Sequence, residues 1–197
     1  MDIFEEAKKV DWNNTESAIE YYESHKLFFQ NDQHFNDDHT NRDLASMNLM
    51  YGNALLKRSH YKKALPVVEQ TKSLLERLSK DFIGYEHLFE KVLFLEARTL
   101  HGLKKYFQSV KIFKELTEMD SENYSYRNWY FSSIVQISDS TLIAVCIIAA
   151  IFFALDIYTA IHAMNSVNFN LFGVSIIIVS LTIHHSLKYL LKKKLKL

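Results

Sequence analysis

The sequence predicts an all-α protein in which a helical-hairpin domain is followed by a two-helix transmembrane hairpin. Three observations lead to this fold class. The 197 residues include only one Pro and four Gly, which is too few for a turn-rich β protein. Leu, Lys, Glu and Ala, which favour helices, are abundant in the first two thirds of the chain. Two long apolar segments then follow.

Charge and cysteine content exclude several classes of function. Residues 1–136 carry 18 basic and 21 acidic residues, a net charge of −3. A weakly acidic domain is unsuited to nucleic acid, because binding there requires a basic stripe that displaces counterions. Cys146 is the only cysteine, so neither an intramolecular disulfide nor a thiolate metal set can form. The sequence therefore predicts no nucleic-acid partner and no thiolate metal site, and we expect no metal or cofactor.

Residues 1–30 predict one or two helices that precede the hairpins. The stretch "NNTESAIEYYESHKLFF" offers Asn14 or Thr15 as an N-cap before its apolar positions. The polar run "QNDQHFNDDHTNR" that follows predicts a solvated loop. Its alternative is a metal site, but no helical spacing would fix the ligands, which would be His34, Asp37, Asp38 and His39.

Two later stretches resemble each other at a constant offset. "YGNALLKRSHYKKALPVV" contains Gly52, Tyr61 and Ala64, and "EARTLHGLKKYFQSVKIF" contains a small residue, an aromatic and a small residue at the same intervals: Ala97, Tyr106 and Ser109. Small residues allow two antiparallel helices to approach closely, and the aromatic fills the space between neighbouring hairpins. We therefore predict that these six residues are packing positions of two helical hairpins.

This pattern resembles the tetratricopeptide-repeat family over roughly residues 43–123. The resemblance implies a stack of helical hairpins that binds a peptide on the face formed by the first helix of each hairpin. It implies exposed partner-binding residues on that face, and the candidates are Asn53, Lys57, Arg98 and His101. Because Arg98 can form a bidentate pair with a carboxylate and Lys57 adds a positive charge, the hypothesised ligand is an acidic or C-terminal peptide. The alternative is a helical bundle without repeats.

The two apolar segments, about 137–160 and 168–187, are each long enough to cross the ~30 Å hydrocarbon core of a bilayer. No Lys or Arg lies between Ile137 and Leu187, whereas the last ten residues contain five lysines: Lys188, Lys192, Lys193, Lys194 and Lys196. The positive-inside rule then puts this tail in the cytosol against the membrane surface, and two spans return the N-terminus to the same side. We expect a helix that is nearly continuous from about Asn123 into the first span.

The predicted organisation is a cytosolic helical domain (1–136), two transmembrane helices (137–187) and a basic cytosolic tail (188–197). The leading functional hypothesis is a multi-pass membrane adaptor that recruits a protein or peptide partner. The alternative is an oligomerising two-span effector whose soluble domain senses a signal and whose hairpin perturbs the bilayer. The sequence contains no nucleophile elbow, phosphate loop or metalloprotease motif, so an enzyme is not expected.

Overall fold

A computed structural model describes residues 3–29, 37–161 and 169–194. These residues form nine α-helices and no β-strand, which confirms the all-α prediction. The chain divides into two compact units, Met1–Ser121 and Glu122–Leu197. The division falls before the predicted domain boundary at residue 136, because residues 124–136 belong to the same helix as the apolar segment that follows them.

Three short helices open the first unit: α1 (Ile3–Ala7), α2 (Thr15–Ser24) and α3 (Lys26–Phe29). Asn14 is the N-cap of α2, and its side-chain oxygen accepts hydrogen bonds from the backbone N–H groups of Glu16 and Ser17 at 2.9 and 3.2 Å. Of the two predicted caps, Asn14 and Thr15, the helix therefore uses Asn14. Its side chain satisfies two N–H groups that the helix itself leaves without a partner.

Four longer helices follow as two antiparallel pairs. The first hairpin is α4 (Asp38–Lys57) with α5 (Tyr61–Arg77), and the second is α6 (Tyr85–Gly102) with α7 (Tyr106–Met119). Asp37 caps α4 by accepting a hydrogen bond from the backbone of Thr40, so α4 begins inside the polar run that predicted a loop. The helix ends that flank the two turns are 45 residues apart, Lys57 from Gly102 and Tyr61 from Tyr106, which is the offset between the two similar stretches of sequence.

The two hairpin turns have the same backbone geometry. Ser59 and Lys104 adopt positive φ angles of 59° and 62°. The next N–H in each turn donates to a carbonyl five residues back, His60 to Leu55 at 2.8 Å and Lys105 to Leu100 at 2.9 Å. This Schellman arrangement satisfies the last carbonyls of the first helix and reverses the chain within three residues.

Close helix contacts occur at the small residues of the similar stretches. Ala97 and Ser109 are fully buried, and the Ser109 hydroxyl donates a 3.0 Å hydrogen bond to the Ala97 carbonyl across the second hairpin. Ala64 is also fully buried. A Cβ on Gly52 would lie 2.7 Å from Leu95 Cδ2, so Gly52 is at the contact between α4 and α6.

The two aromatic positions of the similar stretches also make contacts at the hairpin ends. The Tyr61 ring packs on Gly102, where an added Cβ would lie 2.2 Å from the ring. It therefore spans the gap between the first and second hairpins. The Tyr106 ring packs edge-on against His101, with ring centres 5.1 Å apart. This contact lies within the second hairpin.

The second unit consists of α8 (Tyr124–Ile161) and α9 (Phe169–Lys194). The expected continuous helix into the apolar segment is confirmed by the 38 residues of α8. Within the described residues, one stretch, Tyr124–Leu155, is long and apolar enough to cross a membrane, and Val174–Leu190 is a shorter apolar stretch. Only 6% of the most apolar window of the long stretch is buried, which differs from the core helix of a soluble protein.

Helix α9 packs along α8, and the contact includes a polar cluster. Ser138 Oγ is hydrogen-bonded to His184 Nδ1 at 2.7 Å, and the other ring nitrogen of His184 lies 3.2 Å from Asp139 Oδ1. Lys188 Nζ donates to the same carboxylate oxygen at 3.1 Å. Asp139 of α8 therefore meets His184 and Lys188 of α9 at one level of the α8–α9 pair.

Candidate binding groove

A groove of about 620 Å³ lies between α5 and α7, with α6 at its base, and is the candidate site for a partner on the two-hairpin stack. Its apolar part comes from Leu65, Leu100 and Ile112. Charged side chains form the walls. Glu69 and Glu76 of α5 lie on one side, and Lys105, the N-cap residue of α7, and Lys111 of α7 lie on the other. The volume falls within the range of typical ligand sites.

An ion pair joins α5 to α6 inside this groove. Lys72 Nζ lies 3.0 and 2.9 Å from the two carboxylate oxygens of Glu96. The Glu96 side chain is only 17% exposed, so water screens this pair less than an ordinary surface pair. Because these two charges neutralise each other, the groove keeps an acidic wall and a basic wall for a ligand.

The four residues predicted to bind a partner do not line this groove. They lie on α4 and α6, and the surface of these two helices around them is here called the α4–α6 face. Lys57 is exposed at the end of α4. Asn53 is half-buried, and its side-chain amide donates to the Leu49 carbonyl of its own helix at 3.0 Å. Lys57 is therefore accessible to a partner, whereas the Asn53 amide is already hydrogen-bonded to the backbone.

The other two predicted residues, Arg98 and His101, are half-buried on α6. The Arg98 guanidinium lies over the Phe94 ring, 5.6 Å from its centre, and burial lowers its pKa. Burial also lowers the pKa of His101, which packs against Tyr106. Both side chains thus contribute to packing as well as to the surface.

A second polar site, which the sequence did not indicate, joins α2 to α4 and α5. The Tyr51 hydroxyl donates a hydrogen bond to the Glu23 carboxylate, which lowers the pKa of Glu23. Burial and this carboxylate raise the pKa of Tyr51. Together with Lys63 and other neighbours these residues line a cavity of about 170 Å³. Its role is to fix the N-terminal helices on the first hairpin.

One side of α5 carries a sequence pattern that corresponds to the groove. Leu65, Glu69, Lys72 and Glu76 recur at intervals of four, three and four, which places them on one side of a helix. The pattern alone does not distinguish this side from an ordinary solvated one. Only the stacking of α7 beside α5 makes it the wall of a groove.

Neither a metal site nor a similar known protein gives this chain a further functional assignment. Asp37 of the considered metal set is the N-cap of α4, and His34 lies outside the described residues. Within the part of the chain that the structure describes, no group of three or more His, Cys, Asp or Glu side chains could hold a metal ion. Comparison with protein-family models, curated proteins and solved structures finds no match for this chain.

Proposed function

We propose that this protein is a membrane-anchored adaptor whose stacked hairpins recruit a protein partner. The observation that carries the proposal is the groove, where an apolar base lies between an acidic and a basic wall. Hairpin stacks bury their own core and leave such extended surfaces for ligands. The tetratricopeptide-like pattern of small and aromatic residues supports the same function.

The chemistry of the groove indicates what the partner presents. An apolar side chain would contact Leu65, Leu100 and Ile112, while an acidic residue would pair with Lys105 or Lys111. Complementary charges of this kind fix register and exclude wrong partners more than they add affinity. We therefore propose an amphipathic segment with an acidic face as the ligand, and the α4–α6 face as the second candidate surface.

Affinity capture from detergent-solubilised membranes tests the adaptor function. The double variant Lys105→Glu, Lys111→Glu should reduce partner recovery by more than about tenfold, because it places like charges beside the acidic face of the ligand. The control Lys80→Glu, Lys91→Glu changes the net charge equally at exposed sites outside the groove. It should leave recovery unchanged.

A parallel variant distinguishes the two surfaces. Asn53→Ala with Arg98→Ala alters the α4–α6 face and leaves the groove residues in place. Loss of partners in this variant alone would move the site from the groove to the α4–α6 face. Retention of the same partners by both variants would disprove an adaptor function of the hairpins.

We further propose that α8 and α9 both span the bilayer, with the two termini in the cytosol. The contacts of Asp139 with His184 and Lys188 support this arrangement, since they bring the charged ends of both apolar segments to one level. Lys192 and Lys193 continue α9 beyond that level and are exposed, as suits an anionic leaflet. Lys194 ends the described part of α9, and Lys196 lies outside the described residues.

Cysteine labelling in intact cells tests this topology. In a Cys146→Ser background, a cysteine at Ser166, in the linker outside the described residues, should react with an impermeant thiol reagent. A cysteine at Ser121 should react only after the cells are permeabilised. The reverse pattern would place the hairpin unit outside the cell, and labelling of both positions would rule out a two-span hairpin.

The effector alternative predicts a different response in cells. An oligomerising hairpin that perturbs the bilayer would depolarise cells that express the intact chain, whereas an adaptor would leave the membrane potential unchanged. The adaptor is preferred because the groove supplies a surface for a partner.

A further inference from the structure

The two hairpin turns of the first unit lie side by side at one edge of the stack. A shallow cavity of about 450 Å³ is formed by both turns. Its walls include Tyr61, Lys62 and Lys63 from the first turn and Gly102, Leu103 and Lys104 from the second. We call residues 57–63 and 102–107 the turn edge.

Positive charge is concentrated at the turn edge. It contains six basic residues and no acid: Lys57, Arg58, Lys62, Lys63, Lys104 and Lys105. All six are exposed, but two of them have acidic neighbours on α2: Arg58 is paired with Glu16, and Lys63 lies near the Glu23 carboxylate. The absence of acids extends along the sequence from Asp43 to Glu69 and again from Glu96 to Glu115.

The opposite ends of the same four helices carry more acids than bases. Asp37 and Asp38 lie at the start of α4, Asp81 and Glu86 between α5 and the first turn of α6, and Asp120 directly after α7. The first unit is therefore polarised along its helix axes although its net charge is small. Such a charge distribution orients a protein in the field of a charged surface.

Exposed apolar groups accompany the basic residues. Phe107, in the first turn of α7, is 74% exposed, and Leu103 forms part of the cavity between the turns. Aromatic and aliphatic side chains next to lysines are the combination that binds the interface of an anionic bilayer.

We propose that the turn edge docks on an anionic phospholipid surface. The phosphate groups of the lipids complement the five exposed lysines, and Phe107 enters the interfacial layer. This docking rests on the proposed membrane span of α8, because a tether to the bilayer makes weak docking effective. Each basic residue near an anionic leaflet favours the docked state about fivefold.

Fluorescence of the full chain in nanodiscs tests docking. An environment-sensitive NBD dye is attached at His60→Cys, on the turn edge, in a Cys146→Ser background. Its emission should rise about twofold when phosphatidylcholine discs are replaced by discs with about 30% phosphatidylglycerol. The rise should disappear in roughly 0.5 M salt, because counterions screen the attraction. A dye at Ile83→Cys, which is 95% exposed between α5 and α6, should not respond.

Charge-neutral variants decide whether the turn edge is responsible. Lys62→Gln, Lys63→Gln and Lys104→Gln together should remove the response, and far-UV circular dichroism should show unchanged helicity. The matched control Lys9→Gln, Lys80→Gln, Lys91→Gln removes the same number of positive charges elsewhere on the unit. It should keep the fluorescence response to anionic lipid. A response that survives the first triple change, or no response at His60→Cys, overturns the proposal. A larger response to polyglutamate than to anionic lipid would identify an acidic peptide site instead.

Discussion

Replacing Tyr22 by Ala should detach the N-terminal helices from the first hairpin and lower the free energy of unfolding by about 3–5 kcal/mol. Tyr22 is fully buried. Its ring is stacked between Tyr51, with centres 3.8 Å apart, and Phe29, at 4.7 Å. Removing it leaves a cavity between two rings that helix backbones hold apart, so the site cannot collapse around the loss.

The Tyr22 hydroxyl adds a smaller, separable contribution. It donates a 2.7 Å hydrogen bond to Asn48 Oδ1, and Asn48 is itself fully buried. Tyr22→Phe keeps the stack and removes only this bond, so it should cost about 1–2 kcal/mol. A buried carbonyl oxygen without its donor is the physical reason for that cost.

Trp12 fluorescence reports detachment of the N-terminal helices, because Trp12 packs edge-on against Tyr21 of the same segment, with ring centres 5.8 Å apart. In a Trp129→Phe background, denaturant unfolding of the full chain in detergent is followed by Trp12 fluorescence. The order of stability should be wild type, Tyr22→Phe, Tyr22→Ala. Equal midpoints for the wild type and Tyr22→Ala would show that the N-terminal helices are not held by this stack.

Replacing Ala97 by Leu should overpack the second hairpin and cost about 1–3 kcal/mol. Ala97 is fully buried, and its carbonyl accepts the 3.0 Å hydrogen bond from Ser109 of α7. This bond requires the two backbones to stay close at that point. A leucine side chain fits only if α6 and α7 move apart, which would break the bond and disturb the packing around it.

Hydrogen exchange with mass spectrometry measures this effect locally. Amides of α6 and α7 should exchange about 5- to 100-fold faster in Ala97→Leu, while peptides from α9 keep their wild-type rates. Lys91→Leu adds the same side chain at an exposed position of α6 and should leave exchange unchanged. Unaltered rates in Ala97→Leu would mean that the α6–α7 contact is looser than the hydrogen bond implies.

Much of the secondary structure follows from local sequence. Scarce Pro and Gly, the Asn14 cap and the similar stretches predict helices and hairpin turns, because these signals act through backbone conformation and hydrogen bonds between neighbouring residues. The turns at Ser59 and Lys104 are of this kind: the intervals between small and aromatic residues predict where each second helix begins. Apolar length likewise predicts the long helix α8.

Contacts between helices distant in sequence depend on tertiary structure. Gly52 was expected as the small residue of its own hairpin, yet its close contact is with Leu95 of the next one. Asn48 stands where the second similar stretch has Leu93, and its partner is Tyr22, 26 residues earlier. No local pattern specifies such a pair, because it depends on how the N-terminal helices cross α4.

The candidate surfaces show the same division between sequence and fold. The sequence by itself determined which residue types were available: a mixed-charge stripe on α5, lysines in both hairpin turns, and apolar segments toward the C-terminus. The tertiary structure decided that the stripe faces α7 across a groove and that two turns 45 residues apart form one basic edge. The reason is that side-chain spacing fixes the faces of a single helix, whereas the stacking of hairpins fixes which faces meet.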